Sequence, residues 1–261
     1  MITSGNNKIV IYTVLVGNYD KLCQPKKIIE GVDYVCFTDK EGCNERIGVW
    51  QVFRVPFSHK DNGRESRYPK IMPHKTVLSE YDYSLYIDAN LIIKDDYVYQ
   101  RIEEFVKNET KLALIKHPAR DCAYQEAYNC IAGCKAKWRD LIRQIMFLKR
   151  KGFPEHWGLF EANVIFRKHN NESVKDLDEL WWSTFMKYSK RDQLSLAYSL
   201  WTTNIEYSFF LPEQYSTLNH PSFERLEHLP QKDSRPVKFK KWLVSLVIKS
   251  AKSHLKDPVK E

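Results

Sequence analysis

Apolar residues recur along the chain with two periods, one typical of strands and one typical of helices. Runs rich in β-branched and aromatic residues predict strands at 8–16, 33–39, 50–57, 83–93, 111–117, 163–168 and 205–211. Apolar residues at helical spacing predict helices over 121–149, 177–189 and 192–201. Strands separated by helices predict an α/β fold with a mostly parallel sheet flanked by helices.

Length and composition indicate a globular chain with one substantial core. The 261 residues are 43% hydrophobic and 13% aromatic, which excludes a disordered chain. The N-terminal stretch is polar, no apolar run approaches the roughly 18 residues of a membrane-spanning helix, and the six cysteines form no C-x-x-C pair. These features predict a cytoplasmic protein with reduced cysteines. The net charge of +8 predicts a polyanionic or phosphorylated partner.

The composition changes after about residue 230, which divides the chain into a predicted main domain, 1–230, and a basic tail, 231–261. Apolar residues of 238–256 follow the i, i+3, i+4, i+7 pattern of an amphipathic helix, and this stretch contains lysines but no acidic residue. Such a helix suits the headgroup layer of an anionic membrane and predicts peripheral attachment to the inner face of the membrane. A C-terminal helix packed on the protein's own core is the alternative.

Polar residues follow several of the predicted strands, at the edge where open α/β sheets bind ligands. The 83–93 strand carries Asp88 and Asn90, which are two residues apart and therefore expected on one side of an extended segment. Oxygen ligands at a strand end suit Mg²⁺ or Mn²⁺. An Asx-turn, in which either side chain only caps a bend, is the alternative for the same residues.

The segment 60–75, just upstream, carries a net charge of +3. Arg64, Arg67 and Lys75 lie at spacings that allow one helical face, although two prolines exclude a long helix. Arginines beside a metal site suit a diphosphate, because the guanidinium fork matches its oxygens. A solvated basic surface is the alternative.

Seven segments resemble one family, in this order: "YTVLVGNYDKL", "VDYVCFTD", "RESRYPKIMPHK", "EYDYSLYIDAN", "HPARDCAYQEA", "GFPEHWGLFEANVIFRKHN" and "WW…SKRDQLSLAY". Over about residues 8–200 the chain resembles glycosyltransferase-like domains of the TOD1/MUCI70 type. That family is similar to GT-A glycosyltransferases, in which a Rossmann-like half binds a nucleotide sugar and a D-x-D strand end binds a metal that holds the donor diphosphate. Here Asn90 stands in place of the second acid and offers an oxygen ligand without a charge.

The resemblance implies roles for individual residues. The implied donor-binding residues are Thr13 and Tyr19 at the base and ribose, Asp39 at the nucleotide, Arg67 and Lys70 at the diphosphate, and Asn163 near the sugar. "FEANV" (160–164) resembles a wall beside the sugar in retaining GT-A enzymes, and "RDQ" (191–193) resembles an Asp-Gln pair beneath it. The implied catalytic residues are Asp192, Glu161 and Gln193. A plain helix N-cap is the alternative for Asp192.

Histidines near the end of the family match complete the implied metal shell. His220 is the first candidate beside Asp88 and Asn90, and His228 is the second. His117 and Arg120 are expected to face either the acceptor or a phosphate, and both interpretations stay open.

The predicted function is a glycosyltransferase that moves a sugar from a nucleotide-sugar donor to a glycan or lipid-linked acceptor, in surface polysaccharide synthesis. Mn²⁺ or Mg²⁺ assists the reaction, and retention is favoured over inversion. Two alternatives stay open: a non-catalytic protein that binds nucleic acid or nucleotide sugars, and a degenerate transferase that binds its donor without turnover. The aromatic residues lie at core spacing rather than in an RNA-binding motif, which disfavours nucleic acid.

Overall fold

The computed structural model describes residues 7–40 and 45–229. The strands in these ranges are β1 (Ile9–Leu15), β2 (Val32–Thr38), β3 (Arg46–Ile47), β4 (Trp50–Arg54), β5 (Tyr83–Ile87), β6 (Leu91–Ile93), β7 (Leu112–Lys116), β8 (Phe160–Arg167), β9 (Ser208–Phe209) and β10 (Phe223–Arg225). The α-helices are α1 (Asn62–Glu65), α2 (Arg67–Ile71), α3 (Tyr97–Lys107), α4 (Ala123–Ala132), α5 (Trp138–Arg150), α6 (Glu172–Lys187) and α7 (Asp192–Thr203). Two 3₁₀ helices, Pro73–Lys75 and Val77–Glu80, follow α2.

Eight strands form one sheet in the order β3-β4-β2-β1-β5-β8-β7-β9, and β6 pairs with β10 in a separate ribbon. Within the sheet β1 is parallel to β2 and β5, β2 is parallel to β4, and β7 is parallel to β9. The other three pairs, which involve β3 or β8, are antiparallel. The predicted α/β fold with a mostly parallel sheet flanked by helices is confirmed.

Both faces of the sheet are buried, as the continuous apolar runs of its strands require. In β1, Ile9 and Ile11 belong to the core on one face, whereas Val10, Tyr12 and Val14 belong to the core on the other. Helix α3 covers the first face, and helices α2, α6 and α7 cover the second. A third apolar cluster joins α4, α5 and α7. The helices that carry candidate site residues are therefore fixed by packing.

The strand order reverses at β1, which has β2 on one side and β5 on the other. Such a reversal leaves a crevice at the carboxyl ends of the two strands, where open α/β sheets bind their ligands. Because β8 runs antiparallel between β5 and β7, its first residues lie at the same edge of the sheet. Three inter-strand spacings, or ~14 Å, separate the loop after β1 from the loop after β7. The candidate site occupies this edge.

Two predicted elements are corrected. The 83–93 run is not one strand, because β5 ends at Ile87, the Leu91 N–H donates to the Asp88 carbonyl in a turn, and β6 leaves the main sheet. Asp88 and Asn90 therefore do not share one side of an extended segment. The 121–149 helix is divided into α4 and α5, because Cys134 adopts a left-handed conformation with φ of 50° just after α4.

The predicted C-terminal helix and the membrane-binding segment 238–256 lie outside the described residues. Within the described ranges, no helix combines the length and the apolar character that crossing a membrane requires.

Candidate active site

A cavity of about 1140 Å³ opens at the carboxyl edge of the sheet. Its walls include the end of β1 with the loop that follows it (residues 14–20), the turn after β5, the loop after β7 (residues 117–120) and the start of α7. Ligand pockets commonly measure ~300–1,000 Å³, so this cavity has room for a large ligand or for two. Among the residues that the structure describes, nine cationic and six acidic side chains line it. The cavity is therefore polar, with an excess of positive charge.

Helix α2 presents Arg67 and Lys70 to the cavity. These residues are three apart and share one helix face. Asp61 caps the preceding helix α1 by accepting a hydrogen bond from the Gly63 N–H at 2.9 Å. Pro69 falls in the first turn of α2, where its missing N–H breaks no helical hydrogen bond. The prolines thus keep the segment in short helices, as the sequence predicts.

Asp192 is the first residue of α7, and only 5% of its surface is exposed. Its Oδ2 accepts hydrogen bonds from Lys70 Nζ at 2.6 Å and Arg67 Nε at 3.2 Å. Burial alone would raise the pKa of Asp192, but Lys70 and Arg67 outweigh it and hold the pKa well below its usual range. The Trp181 indole N–H donates to the Asp192 carbonyl at 2.9 Å and fixes the start of the helix. The N-cap position itself belongs to Arg191.

Asp88 faces the same cations from the end of β5. The Tyr86 hydroxyl donates to Asp88 Oδ1 at 2.6 Å, and Lys70 Nζ lies 3.8 Å from that oxygen. Lys70 Nζ also lies 4.9 Å from the centre of the Tyr86 ring. We call Arg67, Lys70, Tyr86, Asp88 and Asp192 the central cluster. Two cations and two carboxylates meet there, so the buried Lys70 is electrostatically satisfied.

Glu161, a second buried carboxylate, lies in a different environment near the start of β8. Its Oε2 accepts hydrogen bonds from the Thr217 N–H at 3.2 Å and the Thr217 hydroxyl at 3.3 Å. Burial raises the pKa of Glu161, and the bonds from Thr217 offset this only in part. Asp192 is therefore held ionised, whereas Glu161 accepts a proton more readily than an ordinary glutamate. Two carboxylates with such opposite shifts are typical of sites that do acid–base chemistry.

The loop after β1 is held in place from the end of β2. Gly17 has a left-handed φ of 68°, and a side chain there would meet the Asn62 amide at 2.6 Å. The Gly17 N–H donates to Asp39 Oδ2 at 2.9 Å, so Asp39 supports the loop and does not itself line the cavity. Tyr19 lines the cavity, is 48% exposed, and packs against the His228 ring at 4.4 Å.

Of three further residues predicted from the sequence, two line the cavity and one does not. Gln193 lines the cavity and donates from Nε2 to the Phe160 carbonyl at 3.0 Å. Asn163 lines it as well and donates from Nδ2 to the Thr217 hydroxyl at 2.6 Å. Thr13 does not line the cavity, because it lies within β1 before the strand end and is only 1% exposed.

The predicted metal ligands are not brought together. Asp88 lines the cavity, but Asn90 donates its side-chain N–H to the Leu226 carbonyl at 2.9 Å, and His220 packs against the Tyr97 ring at 4.5 Å. The expected placement of Asn90 and His220 is therefore corrected. In the part of the chain that the structure describes, no group of three His, Cys, Asp or Glu side chains is placed to hold a metal ion. The requirement for Mn²⁺ or Mg²⁺ stays a prediction from the sequence.

Of the three cations expected to share one face, only Arg67 lines the cavity. Arg64 donates to main-chain carbonyls at the C-terminal end of α6, at 2.7 to 3.0 Å, and so caps that helix. Lys75 forms an ion pair with Glu179 on α6. The basic segment therefore anchors α6 as well as lining the cavity.

The cavity continues toward a charged region that the sequence identifies only in part. We define the basic end by its six residues: His117, Arg120, Glu126, Lys135, Lys137 and Arg191. The family resemblance points to the first two. The other four come from α4, the α4–α5 connection and the residue before α7, and no local pattern shows that these segments return to the sheet edge.

A family model for the TOD1/MUCI70 glycosyltransferase-like domain matches residues 2–220 of this chain. No curated protein sequence matches it. Among solved structures, the mannosyltransferase Ktr4p from S. cerevisiae is similar at 11% sequence identity, with a TM-score of 0.42. That similarity covers 74% of this chain and 66% of the mannosyltransferase chain, which is just under two thirds of its length.

The family match contains the whole sheet and the central cluster, and it extends the resemblance of residues 8–200 in both directions. It covers far more than half of the chain. The chain belongs to the TOD1/MUCI70 family of glycosyltransferase-like domains.

Proposed function

We propose that this protein is a glycosyltransferase that moves a sugar from a nucleotide-sugar donor to a hydroxyl group of a glycan or lipid-linked acceptor. The observation that carries the proposal is the central cluster, which sets two carboxylates and two cations in a large cavity beside the β1–β5 crevice. Membership of a glycosyltransferase-like family supports the same class of reaction.

The donor nucleotide is expected beside the loop after β1, because the reversal of strand order leaves the crevice there. Tyr19 offers an exposed ring to the base or ribose. Of the two cations in the central cluster, Arg67 is the more available to the donor diphosphate, since 32% of its side chain is exposed against 3% for Lys70. Its guanidinium fork matches phosphate oxygens.

Glycosyl transfer breaks the bond between the anomeric carbon and the diphosphate and forms a bond from that carbon to an acceptor oxygen. The transition state has oxocarbenium character, so a fixed negative charge nearby stabilises it. Asp192 suits this role because its ion pairs keep it ionised. Arg67 stabilises the charge that develops on the departing diphosphate. In an inverting reaction Glu161, whose pKa is raised, would accept the proton of the acceptor hydroxyl, whereas in a same-face retaining reaction the departing diphosphate accepts that proton.

The remaining features of the proposal come from the sequence. The likeness of residues 160–164 and 191–193 to segments of retaining enzymes supports retention of the anomeric configuration. A cytoplasmic setting at the inner face of the membrane, a role in surface polysaccharide synthesis and assistance by Mn²⁺ or Mg²⁺ belong to the same proposal. The anomeric proton signal of the product, followed by NMR, distinguishes retention from inversion.

Calorimetry with the uridine, guanosine, adenosine and cytidine diphosphates tests donor binding. The protein should bind at least one of them, and Arg67→Gln should weaken that binding about tenfold or more, because a charge-assisted hydrogen bond is lost. Arg150→Gln removes an exposed arginine that does not line the cavity and is the matched control. The proposal fails if the folded protein binds none of the four, or if the two variants behave alike. Tighter binding of an oligonucleotide would favour the nucleic-acid alternative.

A further inference from the structure

The basic end lies on the far side of the cavity from the loop that is expected to hold the nucleotide. That loop follows β1, whereas His117 and Arg120 follow β7, with β5 and β8 between them. Asp88, at the end of β5, lies between the two sides, and Asp192 shares its cation Lys70. A donor that reaches from the β1 loop to Asp192 ends beside Arg191 and leaves the rest of the basic end free for the acceptor.

The charges of the basic end do not balance. Arg120, Lys135, Lys137 and Arg191 line it together with one carboxylate, Glu126. Glu126 is 1% exposed and accepts a hydrogen bond from Arg120 Nε at 2.7 Å, while Arg191 Nη2 lies 3.9 Å from its other oxygen. Because one positive charge neutralises Glu126, the charge of three cations is left uncompensated by the residues that define this end.

Apart from Glu126 and Arg120, the side chains of the basic end offer hydrogen-bond donors to a ligand. Lys135 and Lys137 are exposed and form no ion pair with any described residue. The buried Arg191 Nε has no hydrogen-bond partner in the described ranges. His117 Nδ1 accepts the Ala119 N–H at 3.2 Å, which leaves the proton of a neutral ring on Nε2. Burial lowers the pKa of His117, and Arg120 lowers it further, as a positive field requires.

A role in folding explains only part of this arrangement. Arg120 satisfies the buried Glu126, so its charge has a structural use. Lys135 adds to the positive field that keeps Glu126 ionised, but neither Lys135 nor Lys137 forms an ion pair with a described residue, and both leave their charges exposed at the cavity. A cleft lined by one sign of charge concentrates ions of the opposite sign.

We propose that the basic end binds a negatively charged group, a carboxylate or a phosphate, carried by the acceptor. This inference deepens the proposed transferase, and it rests on that proposal for the identity of the ligand as an acceptor. Arginine forks and lysine point charges both recognise these anions. The preferred acceptor is then an acidic or phosphate-bearing glycan, including a lipid phosphate-linked one, rather than a neutral saccharide.

Calorimetry with two tetrasaccharides tests the inference: a heparin-derived tetrasaccharide, which carries carboxylate and sulfate groups, and the neutral cellotetraose. The full-length protein should bind the anionic probe more tightly. The double variant Lys135→Gln/Lys137→Gln should weaken that binding about five- to tenfold, since two exposed ionic contacts are lost. Lys107→Gln/Lys111→Gln is the matched control, because it removes the same charge from exposed positions at the opposite edge of the sheet. The control should bind as the unaltered protein does.

A competition experiment with a nucleoside diphosphate shows whether the basic end binds an anionic group of the acceptor or the diphosphate of the donor. If the basic end serves the acceptor, saturation with the best-bound nucleoside diphosphate should leave tetrasaccharide binding in place, and Lys135→Gln/Lys137→Gln should bind that nucleotide normally. Competition between the two ligands, or equal weakening of both, would assign the basic end to the donor and overturn the inference. Equal effects of the two double variants, or no binding of the anionic probe, would overturn it as well. Anionic saccharide binding that depends on Lys135 and Lys137 in a protein that binds no nucleotide would uphold the anion site while the transferase proposal fails.

Discussion

Asp192→Asn should both destabilise the protein and slow its reaction, and the two effects can be measured separately. The substitution keeps the size of the side chain but removes the charge that faces Lys70 Nζ at 2.6 Å and Arg67 Nε at 3.2 Å. Lys70 has only 3% of its side chain exposed, so it would be left buried without its nearest counter-ion.

The size of the stability loss follows from this geometry. Removing one partner of a buried ion pair costs about 3–5 kcal/mol. Lys70 keeps Asp88 at 3.8 Å and the Tyr86 ring at 4.9 Å, which favours the low end of that range, ~3 kcal/mol. A loss of 1 kcal/mol lowers the melting temperature of a domain of this size by about 2–4 °C, so we expect a decrease of roughly 6–12 °C.

Urea unfolding followed by tryptophan fluorescence measures this loss at neutral pH. Asp176→Asn, an exposed site on α6, removes one charge from the surface and should change the free energy of unfolding by less than about 0.5 kcal/mol. Adding Lys70→Met to Asp192→Asn should recover part of the stability, since no uncompensated charge is then left. A free energy of unfolding for Asp192→Asn within about 1 kcal/mol of the unaltered protein would refute the ion-pair reasoning.

The contribution of Asp192 to the free energy of unfolding should decrease as the pH falls. The pKa of Asp192 is lower in the folded protein than the ~3.9 of an unfolded chain, so its stabilising effect is complete well above that value. The effect is lost as the pH falls below about 4 toward the folded pKa. The stability difference between the unaltered protein and Asp192→Asn should therefore shrink in acid. If this stability difference instead grew below a pH of about 4, the conclusion that Asp192 is ionised in the folded protein would be contradicted.

Three further predictions concern other parts of the molecule. Burial lowers the pKa of His169 to about 4, so the unfolded chain takes up the proton at a higher pH than the folded protein, and the free energy of unfolding should fall as the pH drops from about 6.5 to 4. His169→Gln should make this fall less steep in urea unfolding measured over that pH range. An equally steep fall in the variant would contradict the prediction. Iodoacetamide should alkylate the partly exposed Cys134 in the native protein before Cys36, whose thiol is buried with its pKa raised to about 12, and mass spectrometry of the modified peptides would show the reverse order if this is wrong. Asp88→Ala should abolish any Mn²⁺ enhancement of nucleoside diphosphate binding in calorimetry, and equal enhancement with and without Asp88 would exclude it as a metal ligand. Asn90→Asp should lower the free energy of unfolding by about 1–3 kcal/mol, because an aspartate cannot donate a hydrogen bond to the Leu226 carbonyl.

The sequence predicts much of the fold because local pattern and global packing agree in most elements. Strands β1 and β2 are continuous β-branched and aromatic runs, and such runs have few alternatives to a buried sheet. The end of β5 at Ile87 is not predicted in this way, because the turn that follows depends on a hydrogen bond from the Leu91 N–H to the Asp88 carbonyl within an otherwise apolar run. Helix α6 is found from its spacing, although the sequence does not show that Arg64 caps its end.

The candidate site is harder to predict, since its residues are distant in sequence. Lys70 and Asp192 are 122 positions apart, and the family resemblance gives them separate roles at the donor without predicting that they form an ion pair. Asn90 and His220 fit the ligand types of a metal site, yet long-range packing turns both away from the cavity. The contribution of Lys135 to the basic end depends on how α4 and α5 pack, which the spacing of apolar residues does not specify. The types of residue at the cavity could therefore be predicted from the sequence, whereas the positions of Asn90, His220 and Lys135 could not.

Whether this protein is a glycosyltransferase that uses Asp192 is best tested by the release of nucleoside diphosphate from a panel of nucleotide sugars, measured side by side for the unaltered protein and Asp192→Asn. The unaltered protein should release diphosphate from at least one donor. Asp192→Asn should do so at least about a hundredfold more slowly while its affinity for that donor stays nearly the same, the pattern of a residue that acts on the transition state. Release at similar rates by both proteins, or by neither of them when both are folded, would contradict these predictions.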